Sequence, residues 1–406
     1  MKIFIFEYIT SGGTVEEELS VSLLSEGSAM LYSILNEFKS TDYEVFTLID
    51  YRLKNYEYFF DWIKFDYINS RDELEEKFRE CIESCDYYLI IAPETGDILY
   101  NFTKIAERYP AINLGCNSGA IKVAGDKFLT FRTLNFYEEY LPRTELIDLG
   151  KLDIEGIKSI CNDLGYPLIF KPIDGVSCEG ISVISNSDEV EGGIKKVRRF
   201  SNKKQFIVQE FIKGENISFS IMKSGKKISL ISINAQLITL GGPSEDSKYI
   251  GGYTPYINPH IKSKRIHEII QNIAELIPGL NGYFGIDLII NKDNLYILEI
   301  NPRLTTSFVG IQKLLKSRIY TQYIQKSKIE LEFKKNIVAY FTKIQFRSEE
   351  NDQSIQVLQN KLKESLVTPL YRFNNIISGF LVLSSSSLEE NLIKMENINK
   401  FIYTRY

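Results

Sequence analysis

The chain has 406 residues, enough for two or three domains at roughly 150 residues each. Its 44% hydrophobic and 25% charged residues supply several cores, and 48 Lys and Arg against 53 Asp and Glu leave a net charge of −5. That balance disfavours a chain built to neutralise nucleic-acid phosphates or to lie on anionic lipid. The two His, His260 and His267, all but exclude a polyhistidine metal site. Five Cys without a C-x-x-C pair fit a reduced cytoplasmic protein rather than a disulfide scaffold.

The first part alternates strands and helices. Strands are expected at Lys2–Tyr8, Glu44–Ile49, Tyr87–Ala92 and Ala111–Leu114, with helices at Glu16–Lys39, Asp72–Ser84 and Leu99–Arg108 between them. This alternation predicts a parallel sheet covered by helices. The opening run Ile3–Phe6 is stopped by Glu7, too short for a signal segment, and no stretch approaches a membrane span. No G-x-G-x-x-G follows the first strand, so a dinucleotide cofactor is unsupported.

From Asp126 the pattern becomes antiparallel α+β. Strands are expected at Leu168–Lys171, Ile181–Ser185, Phe206–Phe211, Ile217–Lys223, Lys227–Leu240, Tyr283–Ile290 and Leu295–Asn301. Helices are expected at Ile154–Leu164 and Lys262–Leu276, the second preceded by Pro259. A tail from about Lys335 adds strands at Ile337–Phe346 and Ile376–Ser384 with helical pattern around them.

Three segments carry chemistry. In Leu168–Ile181 an apolar strand ends in Lys171, and a loop holding Gly175, Ser177 and Gly180 leads to a second strand at Ile181. Glycines let a backbone approach phosphates and the lysine adds a point charge, although an ordinary hairpin has the same outline. In Tyr283–Arg303 two apolar strands flank a polar turn. A three-residue turn, Lys292-Asp293-Asn294, puts Asp287 opposite Glu299, with Asn301 on the same face. A four-residue turn breaks that register unless a bulge restores it. Two carboxylates and an amide on one face suit Mg²⁺, and a solvated face with chance acids is the alternative. The third segment, Phe206–Glu215, is a strand running into a connection that can offer backbone groups to an adenine edge and a carboxylate to ribose.

In this order the segments resemble the ATP-grasp superfamily over roughly Asn113 to Val309. The resemblance implies a fold of mixed α/β and α+β type. A parallel pre-ATP-grasp domain would span residues 1–125, a small lobe with the phosphate flap 126–213, and a large lobe with the metal site 214–334. Residues 335–406 would be a C-terminal lobe completing the large one. It also implies roles. Lys127 and Lys171 look like the phosphate-binding lysines, and Gly175, Ser177, Gly180 and Ile181 like the flap. Glu210, Phe211 and Ile212 look like the adenine hinge, and Glu215 like the ribose-binding acid. Asp287, Glu299 and Asn301 look like ligands for Mg²⁺, with Mn²⁺ as a substitute, and Arg303 like a donor to the γ-phosphate or an acyl phosphate. The flap departs from the family pattern by carrying Cys178 and Glu179.

Within the superfamily the chain resembles the archaeal-type carboxylate–amine ligases, above all those joining L-glutamate to tyramine, with pyrrolysine-pathway ligases as neighbours. The strings concerned are Phe6–Ile9 with Ser11–Gly13, Glu26-Gly27, Ala92–Thr95, Ala124–Lys127 and Asn301–Ser307. The resemblance implies ATP as cosubstrate, small-molecule acid and amine substrates, an ADP-forming amide ligation and a cytoplasmic enzyme. A homodimer is compatible with it; nucleic acid and membrane are not expected partners. Substrate groups are expected from Ser11–Gly13, Glu26, the Gly241–Tyr253 loop and Arg303–Ser307. The rival reading is a nucleotide-binding regulatory protein on the same fold, which would be marked by loss of a metal ligand or phosphate lysine, and none is lost. Cys178 reads as an ordinary flap residue, and Trp62 with its aromatic neighbours as packing.

Overall fold

A computed structural model describes residues 1–175, 178–259 and 261–405. Three sheets follow one another along the chain. The first holds β1 (Lys2–Glu7), β2 (Glu44–Asp50), β3 (Lys64–Ile68), β4 (Tyr87–Ile91) and β5 (Ile112–Asn113). All its pairings are parallel, in the order β3-β2-β1-β4-β5. Helices α1 (Val21–Phe38), α2 (Arg71–Ser84) and α3 (Ile98–Ala106) connect it. Strand order reverses between β1 and β4, so their carboxyl ends open a crevice.

Helix α4 (Ser118–Ala124) and α5 (Lys127–Thr133) lead to the second sheet. It is antiparallel, β6-β9-β7-β8, built from β6 (Thr144–Asp148), β7 (Leu168–Pro172), β8 (Ser182–Ile184) and β9 (Gln205–Glu210). One of its faces is closed by α6 (Ile154–Leu164) and α7 (Val190–Phe200) over a core containing Phe170, Phe206, Ile184 and Val208.

The third sheet has eight antiparallel strands in the order β14-β13-β10-β11-β12-β15-β17-β16. They are β10 (Glu215–Ser224), β11 (Lys227–Thr239), β12 (Lys248–Thr254), β13 (Gly282–Asn291), β14 (Asn294–Asn301), β15 (Val338–Arg347), β16 (Tyr371–Phe373) and β17 (Ile376–Ser385). Helices α8 (Ser263–Leu276), α9 (Ser307–Leu314), α10 (Ile319–Ile324), α11 (Asp352–Leu362) and α12 (Leu388–Arg405) complete the chain. Strands β15–β17, from the tail, extend the same sheet through β12.

Helix α1 is buried nearly all round because it is enclosed on several sides, between the parallel sheet, β17, α9 and α10. Its first turn is capped by Ser20, whose hydroxyl accepts from the Leu23 amide, so it begins at Val21 rather than at Glu16. The aromatic run after β2 packs as expected. The Tyr56 ring meets Tyr371, its hydroxyl accepts from the Arg372 amide, and the Gln359 amide donates to Tyr58. Helix α8 starts at Ser263, one residue after the expected Lys262, and His260 lies outside the described residues.

Candidate active site

The carboxyl ends of β1 and β4, the inner face of β7 and β9, and the β13–β14 hairpin enclose a cavity of about 520 Å³. Alternation decides which side chains enter it. On β7, Leu168 and Phe170 face the α6–α7 core while Ile169 and Lys171 line the cavity. On β9, Phe206 and Val208 do the same while Gln209 lines the cavity.

The hairpin turn is shorter than expected. Asn291 pairs with Asn294 around the two residues Lys292 and Asp293, and Lys292 adopts φ +55°. That turn alone would put Asp287 one place out of step with Glu299. A bulge at Leu298 takes up the extra residue, so Asp287 still opposes Glu299 and Gly285 opposes Asn301. Asp287, Glu299 and Asn301 all line the cavity, with the Asn301 amide donating to Asp287 Oδ2 at 3.2 Å.

Cations meet these acids. Lys127, the first residue of α5, reaches Glu299 Oε2 at 2.9 Å and donates to the Gly175 carbonyl at 2.7 Å. Lys171 donates to Gln209 Oε1 at 2.8 Å and is 7% exposed. Burial pulls the Lys171 ammonium down to about 8, against the opposing pull of Glu299. Burial would also depress Lys127, but its ion pair with Glu299 holds it above the ordinary lysine value. Burial and the neighbouring Glu299 charge push Asp287 well above the carboxylate range. Burial would raise Glu299 too, but Lys127 and Lys171 hold it below its ordinary value. The site therefore gathers two lysines, two carboxylates and an amide with an uneven proton distribution, which suits a charged ligand.

Arg303 follows β14 and lines the same cavity, fixed by Glu94 through Nε to Oε1 at 2.9 Å and Nη2 to Oε2 at 3.0 Å. Gly175, Ile181, Glu210, Phe211 and Ile212 also line it. Gly180 does not, and has φ +72°. Glu215 opens β10 with an exposed side chain, between lining residues Gly214 and Asn216. Ser177, with Val176, lies outside the described residues. Cys178 lines the cavity, and burial pushes its thiol up to about 12, the state of an inert rather than a reactive cysteine.

The expected substrate segments divide. Glu26, Tyr249, Arg303, Thr305, Thr306 and Ser307 line the cavity. Ser11–Gly13 do not: the Ser11 hydroxyl is spent on the Leu48 carbonyl. Most of the Gly241–Ser247 stretch is tied elsewhere. The Gly241 carbonyl accepts from Val183, the Gly242 carbonyl from Lys196, and the Ser247 hydroxyl donates to Ile181. Sequence reasoning missed Glu94, Gln209 and Gln236, the last of which lines the cavity on β11 beside Asp287. An amide directly after the apolar run Phe206–Val208 of β9 was the available signal for Gln209.

A parallel domain, a small antiparallel sheet and a large one closing on a lysine-and-carboxylate cavity define a nucleotide-dependent enzyme. The family description "ATP-grasp domain" matches residues 124–307, and "pre ATP-grasp 3 domain" matches residues 43–121. The chain belongs to the ATP-grasp family, among its ATP-dependent carbon–nitrogen ligases. It is 35% identical over 312 residues to tyramine–L-glutamate ligase of Methanocaldococcus jannaschii, covering 76% of this chain and 84% of that one. A crystal structure of an ATP-grasp superfamily protein from Archaeoglobus fulgidus superposes with a TM-score of 0.63 at 26% identity, over 94% and 99% of the two chains. N5-carboxyaminoimidazole synthetase from Staphylococcus aureus shares the fold, with a TM-score of 0.69 at 15% identity over 98% and 96%. Among the described residues no helix is long and apolar enough to cross a membrane.

Proposed function

We propose that this cavity joins a small carboxylic acid to an amine through an acyl phosphate, with L-glutamate and tyramine as the pair to test first. The observation that carries the reading is the convergence of Lys127, Lys171 and Arg303 with Asp287 and Glu299 in one cavity. Phosphoryl transfer asks mainly for positioning and charge neutralisation, and these are the groups that supply both.

In this reading Lys127 and Lys171 hold phosphate oxygens, the Gly175–Ile181 segment covers them, and Glu210–Ile212 face the adenine. Glu215 meets the ribose from the cavity mouth. A substrate carboxylate oxygen attacks the γ-phosphorus, the bond to the β,γ-bridging oxygen breaks, and ADP leaves. Arg303 then steadies the acyl phosphate. The amine nitrogen attacks the acyl carbon, the carbon–oxygen bond to phosphate breaks, and the nitrogen sheds a proton as the amide forms.

The donor set fits a hard cation. Asp287 and Glu299 oppose each other directly, and among the described residues no third acid and no His or Cys joins them, which leaves positions for phosphate oxygens and water. With Asn301 they would hold Mg²⁺ or Mn²⁺, which supplies charge neutralisation on the phosphates when bound.

We read residues 1–125 as a pre-ATP-grasp domain, 126–213 as a small lobe, 214–334 as a large lobe and 335–406 as a C-terminal extension. Small cytoplasmic metabolites are the expected substrates.

The test is product analysis with a carboxylate labelled in heavy oxygen. ADP and phosphate should form, one label atom should appear in the phosphate, and hydroxylamine should divert the reaction to a hydroxamate. AMP and pyrophosphate would overturn the reading.

A further inference from the structure

Helix α1 lies outside both matched family segments, yet it forms one wall of the cavity. Leu23, Glu26, Gly27 and Met30 all line it. Their spacing, i, i+3, i+4 and i+7, is a single helical face. That face is apolar except for one carboxylate. Gly27 lets it close up on β1, because a Cβ there would lie 2.6 Å from the Glu7 carboxylate.

Glu26 is held from the far end of the chain. Lys343, on β15, donates to Glu26 Oε1 at 2.7 Å and also to the Ser22 hydroxyl one turn earlier on α1. Both partners of the ion pair are largely buried, at 22% and 12% side-chain exposure. Lys343 therefore fixes one oxygen, and among the described residues Oε2 accepts no hydrogen bond from the protein. A fixed carboxylate with a free oxygen, set in an apolar stripe, matches an ammonium group carried on an apolar skeleton.

We propose that Glu26 binds the ammonium group of a substrate and that Lys343 is its positioning residue, so that the C-terminal extension contributes to substrate selection. The inference rests on the ligase reading for the identity of the molecule that bears the ammonium. Two sources share this chemistry: the amine substrate, and the α-ammonium of an amino-acid donor.

The experiment titrates tyramine and L-glutamate separately into the full chain by calorimetry, with Mg²⁺ and a non-hydrolysable ATP analogue present. Wild type is compared with Glu26→Gln, Lys343→Met and Lys343→Arg, and ADP release is followed in parallel. Glu26→Gln should weaken one probe by about tenfold or more, leaving the other probe and the nucleotide analogue unchanged. Loss confined to tyramine assigns the subsite to the amine, and loss confined to L-glutamate assigns it to the donor. Lys343→Met should weaken the same probe and Lys343→Arg should restore it, a pattern that loss of fold would not give. Equal affinity of both probes for wild type and Glu26→Gln, or no binding of either to wild type, overturns the proposal. Probe binding that is lost in Glu26→Gln while wild type releases no ADP would keep the subsite and discard the ligase. ADP release from the pair with unaltered binding by Glu26→Gln would do the reverse.

Discussion

Arg303 and Glu94, 209 residues apart, meet as a two-pronged ion pair at the cavity wall, the carboxylate on the segment after β4 and the guanidinium on the segment after β14. Burial would lower the Arg303 cation, but Glu94, with Glu299 and Asp287, more than offsets that and holds it above its ordinary value. The pair fixes the guanidinium plane, and a planar fork is useful to an anion only when its orientation is set.

Glu94→Gln keeps the shape of this contact and removes its charge. The expected result is a fall in kcat/KM of about tenfold, equivalent to ~1.4 kcal/mol of transition-state stabilisation. The double variant with Arg303→Met should be no worse than Arg303→Met alone. Additive losses in the steady-state kinetics would show that Glu94 acts apart from Arg303.

Lys171→Met should fold, since the replacement buries an apolar chain where a desolvated ammonium now lies. Activity should fall on the order of a hundredfold or more, the usual consequence of removing one preorganised charge from a transition state. Circular dichroism establishes the fold, and near-wild-type turnover in a folded variant would displace the nucleotide from this cavity.

How far the sequence foretold this site can be seen residue by residue. The β13–β14 face was legible because period-2 alternation is local, and Asp287 and Glu299 oppose each other as expected. The turn and the bulge that jointly set that register were not, since each shifts the pairing by one residue and the two shifts cancel. Strand β6 was missed because only Ile147 of its five residues is buried, which leaves no alternation to read. Strand β12 reads as a glycine loop. Its Gly251 and Gly252 serve instead to let neighbouring backbones close in, since a Cβ would lie 2.2 Å from the Phe341 carbonyl or 2.3 Å from that of Ala235. Glu94 and Lys343 could not be placed because their partners are distant in the chain and no local pattern marks such a pair.

Glu299→Gln should raise the Mg²⁺ concentration needed for half-maximal rate several-fold, because one of two opposed carboxylates becomes neutral. The same change frees Lys127 from its ion pair, so nucleotide affinity measured without metal should not fall. An unchanged metal titration would remove Glu299 from the ligand set.

Glu37, near the end of α1, is 2% exposed, and burial raises it from an ordinary 4.5 to about 7 although it accepts from the Tyr320 amide at 3.2 Å. Between those two values the folded chain keeps a proton that the unfolded chain has released. The stability that Glu37 contributes is therefore fully present below about pH 4.5, is lost as pH rises through the window, and is gone above about pH 7. The loss is about 3 kcal/mol at most for a shift of this size. Glu37→Gln cannot ionise, and its side-chain carbonyl can still accept from Tyr320. Denaturant midpoints of the variant and wild type should nearly coincide near pH 4 and then diverge, the variant becoming the more stable as pH approaches 7.5. The comparison cancels every other titrating group, so a difference that stays constant across this range would mean that Glu37 is already ionised in the folded chain.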